Sequence, residues 1–151
     1  MLSYEVSNHS RPGKESRHNL LYWRYGDYAG VGPGAHGRLT IDGRRWAMES
    51  ERLPERWAGR ITSEGAGYSK LEISASEAAR EQVLMNLRIE EGLDIGELAA
   101  RWAMKISADR LRRLAGFALI AVTPERIAAT PKGRLVLNQV IRELCDSLQP
   151  L

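Results

Sequence analysis

The chain has 151 residues, 43% hydrophobic and 27% charged, which suits one domain, or a small domain with part of another, of an ordinary globular protein. A net charge of +3 is far below the footprint of a dedicated nucleic-acid binder. A single cysteine, Cys145, excludes an internal disulfide and a cysteine-ligated zinc or iron–sulfur site, no apolar run approaches the ~20 residues of a membrane span, and a reducing, cytoplasmic setting is expected.

In chain order, Tyr4 to Ser7 is compatible with a short strand and Arg11-Pro12-Gly13-Lys14 with a loop. Asn19 to Tyr25 is a short aromatic segment, read as a helical turn. Tyr28 to Val31 is expected as a buried strand running into the glycine-rich Gly32-Pro33-Gly34-Ala35-His36-Gly37. Leu39 to Met48, with Asp42-Gly43 at its centre, carries a hairpin signal. Leu53, Trp57 and Ile61 suggest a short helix, weakened by Gly59, within a polar joining stretch from Glu49 to Ser74.

From Ser74 onward the pattern is helical. Ser74 and Glu77 have capping-box spacing. The helix they open carries Val83, Leu84 and Leu87 on one face, with Gly92 as its stop. Asp94 and Glu97 repeat the capping pattern before an apolar stripe of Ile95, Leu98, Ala99 and Trp102. Ser107 is placed to cap a third helix with Leu111, Leu114 and Ala115 inward and Gly116 at its end. Leu119–Val122 and Ile127–Ala129 read as two strands joined by a turn. Thr130-Pro131 is an N-cap with proline at the first helical position. The last helix then places Leu137, Val140, Ile141, Leu144 and Leu148 on one face. Three helices, a hairpin and a closing helix resemble a winged helix.

Three groups of residues carry candidate chemistry. A histidine amid aromatic and aliphatic residues, as in His18-Asn19-Leu20-Leu21-Tyr22-Trp23, can ligate haem iron while the macrocycle lies on apolar surface. Asn19 could then position a propionate or orient the histidine. On spacing alone, the commoner reading is a structural histidine bonded to a backbone carbonyl. The Gly30–Gly37 turn allows close backbone approach to a ligand, or merely meets a need for positive φ angles. Arg110, Arg112 and Arg113, with Lys105, make a basic helix side that is either a phosphate contact or a solvated face.

Taken together, Tyr4-Glu5-Val6-Ser7-Asn8, Arg11-Pro12-Gly13, Ser16–Trp23, Asp27–His36, Met85-Asn86-Leu87-Arg88 and Thr130–Leu135 resemble the C-terminal part of the oxygen-independent coproporphyrinogen III oxidase-like radical-SAM proteins, closest to the HemW haem-chaperone branch. The resemblance implies an α+β fold. Residues 1–43 would be the terminal strands and loops of the family's partial (β/α) barrel, 44–73 a hairpin and linker region, and 74–151 a mainly helical, winged-helix-like C-terminal domain. It also implies that the [4Fe–4S] cluster and S-adenosylmethionine belong to an N-terminal barrel of the same parent chain, because the family's three-cysteine motif is absent here.

By the same resemblance His18, Asn19, Tyr22 and Trp23 would contact haem, with His18 the ligand to the metal. Leu20, Leu21, Gly32, Gly34 and His36 would lie at the S-adenosylmethionine pocket. The expected function is that of part of a haem chaperone that binds haem or porphyrin and delivers haem to acceptor haemoproteins, without catalysis of its own. The alternative is part of a coproporphyrinogen III oxidase of porphyrin biosynthesis. No nucleic-acid partner is expected.

Overall fold

The computed structural model describes residues 2–151, and the side chains from Tyr4 onward. In chain order it contains β1 (Leu2–Ser3), β2 (His9–Ser10), α1 (Arg17–Trp23), β3 (His36–Ile41), β4 (Arg44–Ser50), α2 (Pro54–Glu64), β5 (Tyr68–Ile73), α3 (Ala75–Asn86) and β6 (Leu93–Asp94). There follow α4 (Ile95–Trp102), β7 (Met104–Ile106), α5 (Ala108–Gly116), β8 (Ile120–Val122), β9 (Arg126–Ala129), α6 (Pro131–Arg134), α7 (Leu137–Cys145) and β10 (Leu148–Pro150). The mixture of helices and strands is the expected α+β class. Among the described residues, no helix is long and apolar enough to cross a membrane.

The chain forms two compact units, Gly26–Ser74 and the residues up to Tyr25 together with Ala75–Leu151. The chain passes from the first of these units to the other after Ser74. Residue 43 is internal to the first. That position lies in the turn of the β3–β4 hairpin, whose strands pair from His36↔Glu49 to Ile41↔Arg44. Asp42 and Gly43 have φ of 51° and 74°, which is why Asp-Gly was needed at that turn.

In the Gly26–Ser74 unit, β3, β4 and β5 form an antiparallel sheet with β4 central. Strand β5 lies inside what reads in sequence as a polar joining stretch. The segment Tyr28 to Val31 is not a buried strand. Tyr28 makes a lone bridge to Arg38, and Val31 is 91% exposed. A buried cation, Arg45, organises this unit instead. It pairs with Asp27 and donates to the Gly26 carbonyl at 3.0 Å and to the Thr40 hydroxyl at 3.0 Å.

The larger unit holds the apolar core. Helix α3 contributes Ala78, Ala79 and Val83, α4 contributes Leu98 and Trp102, and α7 contributes Leu137, Val140, Ile141 and Leu144. Each of these valine, leucine and isoleucine side chains contributes about 1.5–3 kcal/mol through burial. Three caps expected from sequence are made or placed as read. Asp94 accepts from the Glu97 amide at 2.8 Å, Thr130 accepts from the Gly133 amide at 3.0 Å, and Ser107 occupies the N-cap of α5 although its side chain makes no capping bond.

Four details differ from the sequence reading. Helix α3 ends at Asn86, and Gly92 instead serves a crossing in which an added Cβ would lie 2.3 Å from the Ile127 carbonyl oxygen. Leu84 is 40% exposed rather than on the buried face. Ala115 is exposed, because α5 buries only Leu114. Leu148 is not on α7. It opens β10, which pairs with β7.

Candidate functional site

Helix α1 is two turns long and buries no residue completely, so its position depends on its ends. At the N-terminus the Ser16 hydroxyl accepts from the Asn19 amide at 3.3 Å. At the C-terminus the Arg24 amide donates to the Leu20 carbonyl at 2.8 Å, and Tyr25 turns the chain with φ of 58°. A tyrosine in the left-handed region persists only where its surroundings hold it. Here the ring is 1% exposed, its hydroxyl donates to Glu81 at 2.6 Å, and it meets the Trp102 ring edge-on at 6.2 Å.

A buried polar relay fixes the same end from the core side. The Trp102 indole donates to Gln82, the Gln82 amide donates to Asn86 at 3.4 Å, and Asn86 donates to the Trp23 carbonyl at 2.8 Å. Gln82 and Asn86 sit one turn apart on α3, so the relay runs along one face of that helix.

With α1 held this way, residues at positions i, i+1, i+4 and i+5 face one side. His18, Asn19, Tyr22 and Trp23 therefore line a common cleft of about 290 Å³ with Glu5, Ser7 and Asn8. Its volume lies at the lower end of small-molecule sites. Tyr22 and Trp23 meet edge to face at 5.2 Å, giving the cleft an aromatic wall. His18 is exposed and makes no hydrogen bond among the described residues, so its imidazole nitrogens remain available. The Asn19 amide donates to the Tyr4 hydroxyl at 3.4 Å. Glu5 is fully buried and accepts from the Ser7 hydroxyl at 3.1 Å.

Glu5, Ser7 and Asn8 were not singled out as site residues in sequence, although they stand in a string that carries the family resemblance. Their signal was a cluster of polar residues in a segment that the fold holds by a backbone bridge between Glu5 and Ile89.

The other candidates fall elsewhere. Leu20 is half-buried and Leu21 is 46% exposed on α1. Gly32, Gly34 and His36 belong to the Gly26–Ser74 unit. There the turn is tied to the end of β4: the Gly34 amide donates to the Glu51 carbonyl at 2.8 Å, and the Ser50 amide donates to the Ala35 carbonyl at 2.8 Å. Gly32 and Gly34 have φ of 96° and 69°, so the turn's own geometry accounts for both glycines. On α5, Arg110 pairs with Glu143 and Arg112 with Asp109, which partly neutralises its basic side.

The donor set does not fit an iron–sulfur cluster. Cys145 is 8% exposed, its thiol approaches the Arg80 carbonyl at 3.7 Å, and burial pushes its pKa up. Among the described residues, no three His, Cys, Asp or Glu side chains group as a metal would require.

Residues 73–136 match the family model described as the HemN C-terminal domain. The "Heme chaperone HemW" of Mycobacterium tuberculosis is 34% identical over 141 residues, covering 93% of this chain and 34% of that protein. The "Heme chaperone HemW" of Escherichia coli is 57% identical over 52 residues, covering 34% of this chain and 14% of that protein. Among solved structures, coproporphyrinogen III oxidase (HemN) from Escherichia coli, described as a radical SAM enzyme, matches with a TM-score of 0.54 at 22% identity, over 81% of this chain and 28% of that one. That likeness is one of fold. The chain spans about a third of the length of the first of these relatives. It corresponds to the C-terminal region of a HemN/HemW-like radical SAM protein.

Proposed function

We propose that this chain is the haem-binding C-terminal part of a HemW-type haem chaperone, with haem as its cargo. The observation that carries the reading is the meeting of His18, Asn19, Tyr22 and Trp23 in one cleft, with the His18 imidazole exposed and unengaged by hydrogen bonds among the described residues. The relatives named haem chaperones support it.

In this reading His18 donates a ring nitrogen to the iron. Tyr22 and Trp23 offer apolar surface to the macrocycle, and Asn19 orients the histidine or a propionate. The exposure of His18 suits a carrier, because an acceptor haemoprotein must reach the cargo to take it. The cluster and S-adenosylmethionine are assigned to an N-terminal barrel of the parent protein. Leu20, Leu21, Gly32, Gly34 and His36 are proposed to serve its S-adenosylmethionine pocket. Residues 74–151 are read as a winged-helix-like scaffold for the site, not as a nucleic-acid binder.

The oxidase alternative rests on the fold likeness to HemN and on the family model that carries the HemN name. A full-length parent with cluster and S-adenosylmethionine that decarboxylated coproporphyrinogen III would establish it. The chaperone reading is tested by titrating the chain with ferric haem and following absorbance. Saturation near one haem per chain is expected; absorbance that rises without saturation would remove the reading.

A further inference from the structure

A second groove, of about 360 Å³, lies on the same unit and is lined by Val6, Arg88, Arg134, Leu135, Val136 and residues 137–139. It is linked to the His18 cleft twice. Val6 stands between Glu5 and Ser7, which line that cleft, and the Arg88 guanidinium lies 5.8 Å from the ring centre of Trp23, which also lines it. The second contact is within cation–π range.

Two features of this groove call for a ligand. Its apolar side chains are exposed, Leu135 by 85%, Val136 by 45% and Val6 by 48%. Its two cations are poorly matched. The buried Arg88 Nε–H has no hydrogen-bond partner among the described residues, and the guanidinium donates from its Nη2 to the Asn138 side-chain oxygen at a long 3.4 Å. Arg134 faces Glu90 at 3.9 Å, the outer limit of an ion pair, and Glu90 is itself well exposed. A half-buried guanidinium without a carboxylate is costly to hold, and its planar fork suits a carboxylate oxygen pair.

We propose that Arg88 and Arg134 form a carboxylate subsite that takes the propionate edge of a porphyrin, with Leu135 and Val136 against its apolar part. This deepens the haem-binding reading and rests on it. The site selects an amphipathic dianion. A neutral porphyrin would make the apolar contacts and forfeit the charged ones.

The test compares ferric protoporphyrin IX with its dimethyl ester, which keeps the iron and the ring and removes both charges. The chain should bind the diacid at least about tenfold more tightly than the ester. Arg134→Gln should lose most of that preference while binding the ester as the unaltered chain does, and Arg88→Gln should lose the preference with some loss of ester affinity as well, because Arg88 also faces the Trp23 ring. Arg134 sits at the end of a short surface helix, so it carries the test if Arg88→Gln fails to fold by circular dichroism. Equal affinity for diacid and ester, or full preference retained in Arg134→Gln, would overturn the subsite and leave haem binding standing. Saturable binding of neither porphyrin would overturn both.

Discussion

Asn86 of α3 donates its side-chain amide to the Trp23 carbonyl at 2.8 Å and so fastens the end of the His18-bearing helix to the core. Asn86 is 4% exposed, and it also accepts from Gln82. Replacing it by alanine leaves the buried Gln82 amide and the part-buried Trp23 carbonyl without it. Asn86→Ala should therefore cost about 1–3 kcal/mol, read as a lower urea midpoint at unchanged slope. Because α1 loses its anchor, haem affinity should fall with it. Unchanged stability would mean that the relay through Gln82 and Trp102 does not hold α1.

Gly92 should tolerate no side chain. Its φ is 71°, and an added Cβ would lie 2.3 Å from the Ile127 carbonyl oxygen and 2.9 Å from the Ala128 Cα. These are backbone atoms of β9, so relief would require β6 and β9 to part. Gly92→Ala should destabilise the larger unit by about 2–4 kcal/mol, visible as a drop in melting temperature. A loss below about 1 kcal/mol would show that the crossing has more room than the backbone indicates.

The smaller unit should be acid-sensitive through Asp27. Burial works against this carboxylate's charge. The amide and hydroxyl of Thr40 and the cation of Arg45 outweigh burial and hold its pKa below the usual carboxylate range. A carboxyl whose folded pKa is depressed contributes stability that is present above its unfolded value, near 3.9, and is lost as pH falls through the folded value. Asp27→Asn should lower the stability of the Gly26–Ser74 unit at neutral pH by about 1–2 kcal/mol, since Arg45 is buried and the aspartate is partly solvated. It should also flatten the loss of stability below pH 4. Hydrogen exchange of β3–β5 amides as a function of pH would show both effects, and an unaltered acid limb in the variant would contradict the assignment.

Much of the larger unit was legible in sequence because its signals are local. The Asp94 and Thr130 caps, the Leu98–Trp102 stripe and the turn between β8 and β9 each depend on residues within one or two helical turns. In the smaller unit the Asp42-Gly43 hairpin was equally plain. Strand β5 escaped because it buries almost nothing: Tyr68 is 45% and Leu71 is 72% exposed, so alternation left no apolar face to read. Tyr28–Val31 misled for the opposite reason. Its apolar residues suggest burial, but Val31 ends in solvent. Gly92 looked like a helix stop because positive φ was correctly inferred, while the strand crossing that demands it comes from residues 35 positions away.

At the candidate site, His18, Asn19, Tyr22 and Trp23 were singled out through the family resemblance, since their spacing alone favoured a structural histidine. The contribution of Glu5, Ser7 and Asn8 depends on a chain reversal and a bridge to Ile89, and Arg88 joins through a contact with Trp23 far along the sequence. The polar cluster of Glu5, Ser7 and Asn8 is local, but the contacts that bring it and Arg88 to the cleft are not.

The most direct measurement is the absorbance spectrum of the haem-loaded chain beside that of His18→Ala, each titrated to saturation under oxidising and reducing conditions. With His18 as iron ligand, the variant's Soret band should shift or vanish and its affinity should fall by at least about tenfold, or ~1.4 kcal/mol. His18 is exposed and outside the core, so melting temperature should hardly change and the loss should not reflect unfolding. Superimposable bands and equal affinities in the two proteins would contradict His18 as the ligand and, with it, the central claim that this cleft holds the haem.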